Sequence, residues 1–103
     1  MSYVPCSCSK RWIKIPDVET PCVQDMAKYA VQEFNNEHEG SLKYKRVIEG
    51  WYKELDENNI RYRLHVHVND CLRRQLKFMA IVFTQHNEND EITKTLESFE
   101  QLF

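Results

Sequence analysis

His65 and His67 stand two residues apart in a run, Ile60 to Val68, where apolar and polar residues alternate strictly. A strand projects every second side chain from one face, so both imidazoles leave the same face. Arg61 and Arg63 share it, and the next apolar run sets Lys77, Met79, Ile81 and Phe83 alongside. Imidazole changes charge near neutral pH, so a histidine pair among arginines suits general acid/base chemistry. Met79, Ile81 and Phe83 would add contact area for a small molecule or a second copy of the chain. The face therefore admits three uses: a ligand pocket with His65 and His67 as catalytic candidates, a homodimer or other interface through the sheet, or an ordinary solvated surface. A His-x-His pair also suits a metal, but the sequence fixes no third ligand among Asp70, Cys71 and His86. Neither a metal nor another cofactor is expected.

The four cysteines are Cys6, Cys8, Cys22 and Cys71. Cys6-Ser7-Cys8 has no second close pair of Cys or His at structural-zinc spacing, and free thiols are expected. Cys22 falls in the first turn of an expected helix, where the dipole favours a thiolate. With no histidine close in sequence, it reads as a thiol at the edge of the core.

The elements that position these groups follow from periodicity. Residues 1–11 read as a flexible tail and residues 12–103 as one domain. Trp12 to Val18 reads as a short strand or extended lead-in. Thr20-Pro21 starts a helix, with Thr as cap and Pro at the first helical position. Val23, Met26, Ala27, Ala30, Val31 and Phe34 then recur at helical spacing. Asn35-Asn36 and Gly40 should end it, leaving His38 in a polar turn. From Leu42 the period becomes two. Strands are expected over 42–55, with an irregularity near Val47-Ile48, and over 60–68, 75–83 and 93–102, the last with a helix as the alternative. The C-terminal Phe99, Leu102 and Phe103 should finish the core or meet a partner. One helix followed by four strands gives an α+β fold, the helix packed on a four- to five-stranded antiparallel sheet.

The chain has 103 residues, 42% hydrophobic and 29% charged, with a formal net charge of -2. That balance gives no electrostatic case for nucleic acid or an anionic membrane, and no apolar run has spanning length. The start, Met1-Ser2-Tyr3-Val4-Pro5-Cys6, lacks the regions of a secretion signal, so a cytoplasmic protein is expected, or a secreted one if a signal was removed.

Met26-Ala27-Lys28-Tyr29-Ala30-Val31-Gln32-Glu33-Phe34-Asn35 resembles the helix signature of plant-type cystatins, Leu-Ala-Arg-Phe-Ala-Val-x-Glu-x-Asn. Other matches follow in order. Trp12 to Val18 is similar to the family's Trp-x-Pro-Ile-x-Asp-Val lead-in, with Lys14 in place of the usual Pro. Leu42 to Gly50 resembles Leu-Lys-Phe-x-x-Val-x-x-Gly, Tyr62-Arg63-Leu64 resembles Tyr-x-Leu, and Phe78 to Val82 resembles Tyr-Glu-Ala-x-Val. Leu96-Glu97-Ser98-Phe99 resembles the Leu-x-Ser-Phe ending. The resemblance implies a cystatin-like fold and an inhibitor of papain-like cysteine proteases.

It also implies three wedge elements, and there the chain departs from the family. Lys10 and Arg11 stand where a Gly is usual. The Gln-x-Val-x-Gly loop aligns with Lys53, Glu54, Leu55, Asp56 and Glu57. The loop that usually carries Pro-Trp or Trp aligns near Gln85, His86 and Asn87, running on to Asp90. Gly lets backbone approach closely and Trp is a common binding anchor. Their loss, with carboxylates in their place, leads to the expectation of weak inhibition or none.

Overall fold

A computed structural model describes residues 11–103. Cys6, Cys8 and all but the last residue of the expected tail lie outside the described residues. The elements are β1 (Ile13–Lys14), α1 (Pro21–His38), β2 (Lys43–Glu54), β3 (Asn59–Asn69), β4 (Gln75–His86) and β5 (Ile92–Leu102). The strands form one sheet in chain order, and every neighbouring pair is antiparallel. One helix on a five-stranded antiparallel sheet is the expected α+β, cystatin-like architecture.

The helix starts where Pro21 pre-sets the first helical φ. Thr20 is extended, as an N-cap residue should be, but its side chain makes no capping bond. Its backbone carbonyl instead accepts from the Gln24 N–H at 3.0 Å. The helix also runs past the expected stop. Asn35 remains helical because its side chain is engaged outward: Nδ2 donates to the Leu42 carbonyl at 2.9 Å and Oδ1 accepts from the Leu42 N–H at 3.1 Å. This pair ties the helix to the start of β2. His38 therefore lies in the last helical turn, not in a loop, its ring 4.5 Å from that of Phe34. Glu39, not glycine, takes the left-handed conformation (φ 52°) that closes the helix.

Strand β2 carries the expected irregularity twice. The register with β3 shifts between Tyr44 and Arg46 and again between Val47 and Glu49. Each shift is an extra residue that reverses which side chains face the helix. As a result Tyr44, Val47 and Gly50, spaced three apart, all reach the core side. A third shift between Ile81 and Val82 leaves Glu97 of β5 without a partner across the ladder.

The core lies between helix and sheet. Val23, Met26, Ala27 and Val31 pack with Val47, Leu64, Val66, Val68 and Phe78. Ala30 packs with Ala80 and Val82. Phe99 stacks on Phe78 at 4.7 Å and lies 4.6 Å from Phe34, completing the core as expected. Phe103 is fully exposed.

Two substitutions test this packing. A Cβ on Gly50 would sit 2.8 Å from Leu64 Cδ2 and 3.2 Å from Ile15 Cδ1, and Leu64 is wholly buried and has no room to yield. Gly50→Ala should therefore lower stability by about 1–3 kcal/mol, read as a lower urea midpoint. Ala30 is wholly buried, and Ala30→Asp should abolish the folded state, because an unpaired buried charge costs about 3–5 kcal/mol. A native circular dichroism spectrum for that variant would overturn the helix orientation.

Candidate functional site

Two surfaces hold the chemistry marked out in the sequence: one end of the sheet and its helix-free face. At the sheet end, the β2–β3 turn (55–58) and the β4–β5 turn (87–91) sit side by side, since alternate hairpins of an antiparallel sheet in chain order turn at the same end, the β3–β4 turn lying at the other. The His86 N–H donates to the Asn58 carbonyl at 2.8 Å, joining the two turns through backbone alone. Arg11 and Trp12, which precede Ile13, lie toward the same end, because β1 runs antiparallel to the last residues of β2. Three segments thus converge on one edge.

Each turn is built by its own short side chain. Asp56 Oδ1 accepts from the Asn58 and Asn59 N–H groups, and Oδ2 from Asn59 Nδ2. Asn87 Oδ1 accepts from the Asn89 and Glu91 N–H groups. Such Asx turns supply locally the bonds that the ladder no longer offers. Asp90 takes positive φ (64°), and its carboxylate meets His86 Nε2 at 2.5 Å. Asp56, Glu57, Glu88, Asp90 and Glu91 are exposed at these tips, and a cleft of about 520 Å³ opens between Asn58 and residues 86–89. The expected loop residues are partly displaced into strand: Lys53 and Glu54 end β2, and Gln85 and His86 end β4, because the ladders pair right up to the turns.

On the sheet face away from the helix, alternation holds as expected. Leu64, Val66 and Val68 are buried, while Arg61, Arg63, His65 and His67 emerge on the other side. Phe83, Ile81 and Met79 lie opposite Arg61, Arg63 and His65 across the ladder. The two histidines do not act as a pair. His65 Nδ1 faces Glu49 at 3.4 Å and its ring meets Trp51 edge-on at 4.9 Å, whereas His67 Nδ1 contacts Gln75 Nε2 at 3.0 Å. Arg61 makes two bonds to the Glu97 carboxylate, at 2.6 and 3.1 Å, and lies over Phe83. Among the described residues no group of three or more His, Cys, Asp or Glu is arranged to hold a metal ion.

Burial lowers the His65 pKa; Glu49 pulls it back up by less, and Arg63 and Lys77 add to the lowering. His67 is lowered by burial, Arg46 and Lys77. Glu49 is held below the usual carboxylate range by the Lys14 ammonium, 3.1 Å away, with help from His65. Cys22 and Cys71 are free thiols and exposed, so Cys22 lies outside the core, on a groove also lined by Tyr62.

A family profile described as the phloem filament protein PP1 cystatin-like domain matches residues 21–99. The chain belongs to this cystatin-like family. A stretch of 72 residues, 70% of the chain, is 33% identical to cysteine proteinase inhibitor 5 of Arabidopsis thaliana. That stretch covers 57% of the relative, so the chain spans a little over half the length of the curated protein it matches.

Within this cystatin-like chain, reading the sequence alone missed Glu49, Trp51 and Trp12 as members of the open face. The two irregularities of β2 hide the phase of Glu49 and Trp51, since no single period of two runs through Leu42 to Leu55. The signal that was available is that Trp12 and Trp51 are the chain's only tryptophans, and that Trp12 stands among Lys10, Arg11 and Lys14.

The histidines set a pH dependence. A histidine whose folded pKa is depressed favours the fold when neutral, so stability is complete above the ordinary histidine value of 6.5 and falls as pH drops below it. Glu49 adds stability above 4.5 that is lost at lower pH. Both effects have the same sign. The urea midpoint should be lower at about pH 5.5 than at about pH 7.5, and His65→Gln should flatten that difference.

Proposed function

We propose that this cystatin-family protein meets papain-like cysteine proteases through its loop end but binds them weakly, without tight inhibition. The observation that carries this reading is the character of the two joined turns: a cystatin-like edge whose tips present Asp56, Glu57, Glu88, Asp90 and Glu91 to solvent. A family wedge enters a largely apolar cleft by close backbone approach and an aromatic anchor. Carboxylates entering such a cleft lose water without gaining a partner, at a cost of several kcal/mol each. The Asx turns add a second obstacle. Asp56 and Asn87 are committed to holding their own loops, so their polar atoms are not free to repay desolvation. Family membership supports protease contact, and the tip chemistry supports its weakness.

Titration against a papain-like enzyme tests the proposal. Inhibition should be absent or no tighter than micromolar, about −8 kcal/mol of binding. Replacing residues 53–57 by Gln-x-Val-x-Gly should tighten inhibition by about tenfold or more, roughly 1.4 kcal/mol. Nanomolar inhibition by the unaltered chain would sink the reading.

A further inference from the structure

We propose that Arg63 is a positioning residue: its guanidinium bridges Trp12 and Trp51 and clamps the N-terminal arm to the sheet beside the first turn. Strand β1 has only two residues and lies at the sheet edge, pairing Ile13 with Tyr52 and Lys14 with Trp51. The Ile15 N–H adds one bond to the Gly50 carbonyl at 2.8 Å. So short a ladder at a sheet edge frays unless side chains hold it.

The side chains that hold it are cations on indoles. Arg63 lies on β3, directly opposite Trp51 of β2. Its guanidinium carbon is 4.6 Å from the Trp51 ring centroid and 4.8 Å from that of Trp12. It therefore reaches across all of β2 to touch the arm. Lys53 Nζ lies 4.7 Å from the Trp12 ring, and Lys14 Nζ 5.6 Å from that of Trp51. Trp12 is thus gripped from both β2 and β3.

Arg63 Nε is shielded from solvent and has no hydrogen-bond partner. An arginine serving an ion pair would keep its N–H groups matched, as Arg61 does with Glu97. A guanidinium covered by indole gives up that hydration in exchange for face contact, which a planar, weakly hydrated cation tolerates best. The clamp fixes where the chain leaves Ile13, and Lys53 links it to the strand that leads into the first turn. Arm and turn are held as one unit whether or not a protease is bound.

Amide hydrogen exchange and tryptophan emission on the full chain test this without any protease. Arg63→Leu keeps bulk and removes the cation. It should speed exchange at Ile15 by about tenfold and shift emission to the red, while Leu64 and Ala80 amides stay protected. Arg63→Lys should restore part of the Ile15 protection. If Ile15 exchange in Arg63→Leu stays within about twofold of the parent, or if Lys rescues no better than Leu, the clamp is refuted. Should Arg63→Leu fail to fold, Trp12→Ala reads the same contact from the edge: faster Ile15 exchange upholds the clamp, and unchanged exchange overturns it.

Discussion

The contact between a stripe of small helical residues and the buried row of the sheet's two central strands governs everything else in this molecule. Ala27 and Ala30 have no solvent exposure at all, and neither do Leu64, Val66, Val68, Ala80 and Val82 opposite. Alanine at these helical positions lets the backbone come close to the sheet, and the larger Met26, Val23 and Val31 fill the flanks. Burial of this kind is worth about 25 cal/mol per Å² of apolar surface and is the main source of stability in so small a domain. It also decides the fate of the other residues. Once one face of each strand is committed to the helix, strict alternation exposes the rest, and the surface chemistry is the remainder of the packing solution.

An open sheet face with no second layer must reconcile apolar side chains with water. Here it does so with cations laid on rings and with ion pairs between strands. Arg61 covers Phe83 while bound to Glu97; Lys14 bridges Glu49 and the region of Trp51; His65 sits between Glu49 and Trp51. Contacts of this type are individually modest at exposed sites, about 0.5–1 kcal/mol. They fix orientation more than they add stability. The result is a face on which Arg61, Lys14 and His65 are engaged with carboxylates, while Arg63 lies against indole instead.

Much of this was legible in the sequence, for physical reasons that differ by element. The run Ile60 to Val68 announced its strand, its faces and its neighbours because nothing interrupts its period of two. The helix stripe was equally plain from Val23 to Phe34. The helix end was misread because Asn35 has two uses: it can close a helix by taking positive φ, or remain helical and bond a neighbouring strand. Only the tertiary partner, Leu42, decides between them. The site was less legible than the fold. The open-face histidines were placed correctly, yet their separate partners, Glu49 and Gln75, come from different strands at register positions set by bulges and pairing that no local pattern reveals. The loop residues were located to within two positions, because ladder pairing extends until a turn-forming Asp or Asn stops it.

The backbone bond between His86 and Asn58 has a consequence for how such a protein can diverge. Because it uses no side chain, and because side-chain anchoring of the tips rests mainly on Asp56, Asn87 and the His86–Asp90 contact, the remaining tip positions contribute little to holding the loops in place. Their identities can drift across charge, size and polarity while loop lengths and those few anchors stay fixed. Recognition is thereby uncoupled from foldability: a lineage can discard one target and acquire another by rewriting the rim, with almost no thermodynamic debt carried into the core.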